Sequence, residues 1–190
     1  MFQFAPATYG TAVAELVDFD RLNDLGPGSP NRSVRSRLQS LTPEDLFPSG
    51  SAPNRSMAAC CLSGLWLWHD FLDESHTLSQ SIETTSGSYW HGIMHRREPD
   101  YSNSKYWFHR VGDHAIFDAL ATNAAELAVI HNRAKSASSL TDGPPWDPFA
   151  FVDLCQAAAR GTAEDRQLCQ EIARVEWALL FDYCHQSAQR

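Results

Sequence analysis

Two histidines, His91 and His95, stand four residues apart in a stretch that reads as helical, so their rings point the same way. The H-x-x-x-H spacing recurs in zinc and other transition-metal sites because one helix face then offers two imidazole nitrogens to one ion. One helix rarely completes such a site. The preceding segment offers His69, Asp73 and His76 at i, i+4 and i+7, the same arrangement. Metal sites in helical bundles are assembled from polar side chains that face one another across helices. The expectation is therefore a mononuclear, or less readily dinuclear, centre built from His91 and His95 with His69 or Asp73, and His76 on the same seam. Glu98, at i+7 from His91, would serve as ligand or general base, and Glu98 or Asp73 would move the proton. Imidazole and carboxylate ligands without thiolate suit zinc, iron, manganese or nickel, and do not rank them. Gly92 stands where the H-E-x-x-H metalloprotease pattern requires glutamate, which excludes that pattern.

Taken alone, H-x-x-x-H is a weak signal. Six of the eight histidines fall between residues 69 and 114, which raises it. Against it stands a bland reading, in which these rings bond backbone carbonyls or stack on neighbouring tryptophans. A second constellation is basic: Arg96, Arg97, Lys105 and Arg110. Arginine forks bind carboxylate and phosphate bidentately, and Tyr101, Tyr106 and Trp107 would wall a pocket for a small anion. The alternative for the same residues is a network of salt bridges to Glu98, Asp100 and Asp113. Three functions stay open: a metal-dependent hydrolase or lyase of small-molecule metabolism, a non-catalytic anion-binding module, and a structural or interaction protein whose histidines lie in the core. Convergence of His69, His91 and His95 on one point would separate them.

Other matches fail for want of partners. His69-Asp70 has no earlier histidine to complete an HD-type metal site, and Ser102-x-x-Lys105 lacks the S-D-N and K-T-G companions of penicillin-binding enzymes. The run Gly26 to Asn31 lacks the spacing of a phosphate loop.

The elements that must position these groups read as all helical. Helical periodicity predicts helices over 8–23, 56–82, 88–98, 103–111, 113–131, 147–159 and 162–187, with a short one started by Thr42-Pro43 and stopped by Pro48. No run alternates with period two, so no sheet is favoured. The fold class expected is a single-domain bundle of about six or seven helices. Residues 1–55 form an N-terminal helix and connector, 56–114 bear the site, and 115–190 are scaffold, with a flexible loop over 136–145. The 56–82 segment is read as one straight helix, and that straightness is what aligns His69, Asp73 and His76.

Composition narrows the function classes. At 190 residues the chain is long enough to bury a core without staples. A formal charge of −8 argues against a nucleic-acid or anionic-membrane binder, which needs a basic face. Five cysteines with no C-x-x-C pair make a disulfide framework the less expected arrangement, and the start shows no leader-like apolar run. A reduced, cytoplasmic setting is the expectation, with a divalent transition metal as cofactor, a small anion as partner, and no prediction of oligomeric state.

The segments Trp68 to His76, WHDFLDESH, and Tyr89 to Phe108, YWHGIMHRREPDYSNSKYWF, resemble those shared by an uncharacterised family of hypothetical proteins. That resemblance spans Trp68 to Phe108 and implies no activity, so function has to come from the residue chemistry.

Overall fold

The computed structural model describes residues 2–133, 140 and 146–190. Among the described residues every regular element is helical, with nine α-helices, three short 3-10 turns and no strand. Helices α1 (Thr11–Leu16) and α2 (Arg35–Gln39) are short. Helices α3 (Arg55–Trp68), α4 (Leu72–Ser79), α5 (Thr85–Arg97) and α6 (Tyr101–Val111) follow, then α7 (Phe117–Ile130), α8 (Pro148–Ala158) and α9 (Ala163–Ala188). Apart from Leu140, the loop expected over 136–145 lies outside the described residues.

Side-chain caps fix the helix starts. The Asn54, Thr84, Asp100, Asp147 and Thr162 side chains accept from backbone N–H groups of α3, α5, α6, α8 and α9. Such caps satisfy donors that a helix leaves orphaned, each worth about 0.5–2 kcal/mol. Two boundaries move accordingly. Asn54, not Ser56, starts α3, and Thr84 starts α5 within the segment expected to be loop. The helix expected over 8–23 is shorter, a 3-10 turn and α1, ending at Leu16.

The main correction concerns 56–82, which is two helices joined at a corner. His69 caps α3, Asp70 takes a left-handed backbone (φ 63°), and α4 begins at Leu72. Asp70 N–H donates to Leu67 O and Phe71 N–H to Trp66 O, the Schellman pattern that normally ends on glycine. Aspartate tolerates this backbone better than most residues, and here its side chain is held on several sides. Asp70 accepts from Arg97 (2.6 Å), Arg21 (2.5 Å), Asn23 (3.0 Å) and the Ser29 backbone N–H (3.3 Å).

One buried apolar cluster runs from Phe4 to Ala188, and α9, packed on α3, α7 and α8, contributes Leu168, Ile172, Val175, Leu179, Leu180 and Phe181 to it. The Trp177 indole N–H donates to Gly64 O at 2.8 Å, so α9 and α3 approach closely. A Cβ on Gly64 would stand 2.9 Å from the Trp90 ring. Gly64→Ala is therefore expected to lose about 1–2 kcal/mol in denaturant melts. Overpacking of about 1–3 kcal/mol is only partly offset by alanine's better helix propensity. An unchanged or raised midpoint would show that the Trp90 ring gives way.

Candidate metal centre

Helices α4, α5 and α6 form the wall that holds the histidines. Ser104 Oγ donates to Gly92 O at 2.7 Å, and the Phe108 ring lies where a Cβ on Gly92 would come within 3.1 Å, so α6 sits hard against α5. On the face of α5 beside this contact are His91 and His95. Their Nε2 atoms are 3.0 Å apart. The His91 ring stacks on Trp107 of α6, centroids 3.9 Å apart at 13°. From α4, His76 meets both rings edge-on, with centroids 4.6 Å from His91 and 5.3 Å from His95. One ring nitrogen from each of the three lies within 4.8 Å of the others. A tetrahedral zinc with bonds of about 2.0–2.1 Å places its ligands about 3.3–3.4 Å apart, closer than the 4.8 Å spread of these nitrogens, so the three could hold one ion with the rings drawn together.

The charge state suits that role. Burial, then the neighbouring His95 and His76, lower the His91 pKa to about 3. Burial also lowers His95, against a raising influence from Glu98. Neutral imidazoles are what a metal ion binds. Two nitrogen lone pairs at 3.0 Å repel unless a positive centre, a proton or a cation, lies between them. Glu98 Oε2 is 3.2 Å from His95 Nδ1, the carboxylate-to-histidine contact that leaves Nε2 as the free donor and orients the ring. His91 Nδ1 is buried without a hydrogen-bond partner, so its ring is fixed by Trp107 and not by an acceptor.

Not every expected residue arrives here. The expectation that His69 joins His91 and His95 is corrected: the corner at Asp70 takes it away, and its Nδ1 is 3.5 Å from the Asn31 amide. Asp73 is exposed and lines a groove with Leu38, Gln39 and Trp66, outside the histidine group. Glu98 contacts His95 and belongs to the site as an orienting carboxylate, its side chain 52 % exposed. Histidine 114 is separate, its Nε2 3.0 Å from Ser86 Oγ.

The basic cluster does not converge. Arg96 is buried in an ion pair with Glu176, which also accepts from Tyr89 at 3.1 Å. Burial works against the Arg96 charge, but Glu176 more than offsets it and the pKa is raised. Arg97 is held by Asp70 and by Gly26 O at 2.7 Å. Lys105 pairs with Asp153 at 2.6 Å. Tyr101 packs half-buried on the core, and Tyr106 is exposed with its edge toward Trp107. Arg110, over the Trp107 ring at 5.3 Å, is the member of the cluster that has no carboxylate partner among the described residues. An Arg96–Arg97–Lys105 clamp on an anion is thus replaced by three separate ion pairs. Their partners Glu176, Asp70 and Asp153 differ from the expected Glu98, Asp100 and Asp113.

Compared with models of known families, with curated proteins and with solved structures, the chain matches none. No helix among the described residues is long and apolar enough to cross a membrane. The functional reading rests on the site, since fold alone does not carry function.

Proposed function

We propose that this protein is a metal-dependent enzyme of small-molecule metabolism, hydrolytic or lyase in type, whose ion is held by His76, His91 and His95. The observation that carries the reading is the meeting of three imidazoles from two helices within 4.8 Å, with burial lowering the pKa of His91 and His95. When bound, a divalent ion would polarise a substrate oxygen or lower the pKa of water. The chain's own residues supply the rest. Glu98 orients His95 and, being half exposed, has a second oxygen free to take a proton. Trp107 covers His91 and shields one side from solvent. Arg110, beside Trp107, is the cation available to an anionic substrate approaching that side. Zinc, iron, manganese and nickel all fit three imidazoles.

Elemental analysis of protein purified without an affinity tag is expected to show close to one equivalent of transition metal. The His91→Ala/His95→Ala double variant should lose it. Added zinc should raise the melting temperature of the wild type, as any ligand selective for the folded state does, and leave the variant unmoved. A fully folded wild type that neither retains nor responds to metal would leave the histidines as a packed hydrogen-bonded cluster.

A further inference from the structure

We infer that the groove at the start of α5 is an oxyanion subsite of the proposed centre, and that the substrate is a small molecule carrying a carboxylate or a phosphate. The substrate role rests on the metal reading of His76, His91 and His95. The groove, about 580 Å³ in volume, takes its lining from all three helices of the histidine wall. Gln80 caps α4 one turn beyond His76, Ser88 lies one turn before His91 on α5, and Arg110 one turn beyond Trp107 on α6. A helical turn rises about 5.4 Å, so the groove begins about that far from the histidines.

Its lining residues hold donors that the fold does not use. Arg110 forms no ion pair or hydrogen bond among the described residues, and its guanidinium lies over the Trp107 ring. Ser88 is only 8 % exposed, yet its hydroxyl has no hydrogen-bond partner among the described residues. A serine within a helix commonly bonds a carbonyl one turn back, and buried polar groups are normally paired. This hydroxyl is left for what enters the groove. Thr85 opens α5 beside the cap. The Thr84 side chain takes the Gly87 N–H at 3.0 Å, while the Thr85 N–H has no acceptor among the described residues. A free N–H and the helix dipole favour negative charge at such a start, here with a cation and a buried hydroxyl on the same groove. Glu83 is the one carboxylate among the lining residues, and it is exposed, so water and salt screen its repulsion. Arginine and hydroxyl donors around a helix start are the chemistry that holds a carboxylate or a phosphate.

Calorimetric titration of the full-length, tag-free protein with inorganic phosphate and, separately, with acetate tests this. Metal-free and zinc-loaded protein are compared, with chloride at matched ionic strength as background. Saturable binding of at least one of the two anions is expected, and the one bound assigns the substrate's charged group. Arg110→Gln is expected to weaken it at least about tenfold, the scale of a charge-assisted hydrogen bond. Ser88→Ala is expected to weaken it about threefold or more, and Glu83→Gln to tighten it. Zinc should tighten anion binding several-fold, because a dication one turn away attracts it, and the anion should tighten zinc binding equally. No saturable binding, or binding that Arg110→Gln and Ser88→Ala leave unchanged, would overturn the subsite and leave the metal reading standing. Binding that zinc does not alter would overturn its placing beside the centre. Anion binding by a wild type that takes up no zinc would support the subsite and overturn the metal reading, and with it the substrate role. If far-UV circular dichroism shows the metal-free protein unfolded, the two weakening substitutions in zinc-loaded protein decide.

Discussion

Arg96→Ala is expected to cost about 3–5 kcal/mol of folding stability, the usual effect of removing one partner from a buried ion pair. Glu176 is fully buried, and the variant would leave its carboxylate with the Tyr89 hydroxyl alone. The guanidinium also packs over the Phe151 ring at 4.5 Å, so truncation removes a cation–π contact and opens a cavity between α5 and α8. A domain this size is stable by about 5–15 kcal/mol, so much of the margin would go. Urea unfolding followed by tryptophan fluorescence reads it directly. The double variant Arg96→Met/Glu176→Leu should recover most of the loss, because apolar side chains of similar size often replace buried ion pairs at little cost. A single variant within 1 kcal/mol of wild type would mean that Glu176 is protonated, or reached by water, without its arginine.

Acid should begin to destabilise the protein near pH 6.5, above the range in which ordinary carboxylates titrate. Burial lowers the pKa of His69, His91, His95, His114 and His185, to about 3 for His91 and about 4 for His114. An unfolded histidine titrates near 6.5. Between that value and the folded pKa, the unfolded chain binds protons that the native chain does not, so stability rises with pH across the window. It is complete above about pH 6.5 and falls steadily below it. Linkage gives about 1–2 kcal/mol per strongly shifted histidine at pH 5, so His91 and His114 together account for a few kcal/mol. A melting temperature flat from pH 7 to pH 5 would contradict buried, neutral histidines. Bound metal should compete with protons and steepen the dependence at His91 and His95.

What the sequence made legible was local. H-x-x-x-H needs only that α5 be a helix, and so does Glu98 one turn from His95. The core residues of α9 follow from period 3.6 alone. His76 was reachable too, but for an incomplete reason. Phase along a straight helix groups it with His69 and Asp73, and the corner at Asp70 separates His69 from the other two. That corner was hidden because its left-handed residue is aspartate where glycine is the usual signal, and the groups that hold it come from residues 21–29 and 97, distant in sequence. The fates of Arg96 and Arg97 were illegible for the same reason. Glu176 is 80 residues from Arg96, and nothing in the spacing of charges foretells which helix packs against which.

Asp70 opens the path into α4, which carries His76, while its partner Arg97 ends α5, which carries His91 and His95. The Arg97–Asp70 contact is therefore a strut between the two histidine-bearing helices. In the proposed centre it would help to set the gap between His76 and the His91–His95 pair, much as the span of a caliper is set by its screw. Arg21, Asn23 and Ser29 grip the same carboxylate from the N-terminal connector. Residues 21–29 thus brace the corner between α3 and α4, and in the proposed centre would bear on the spacing of the three imidazoles.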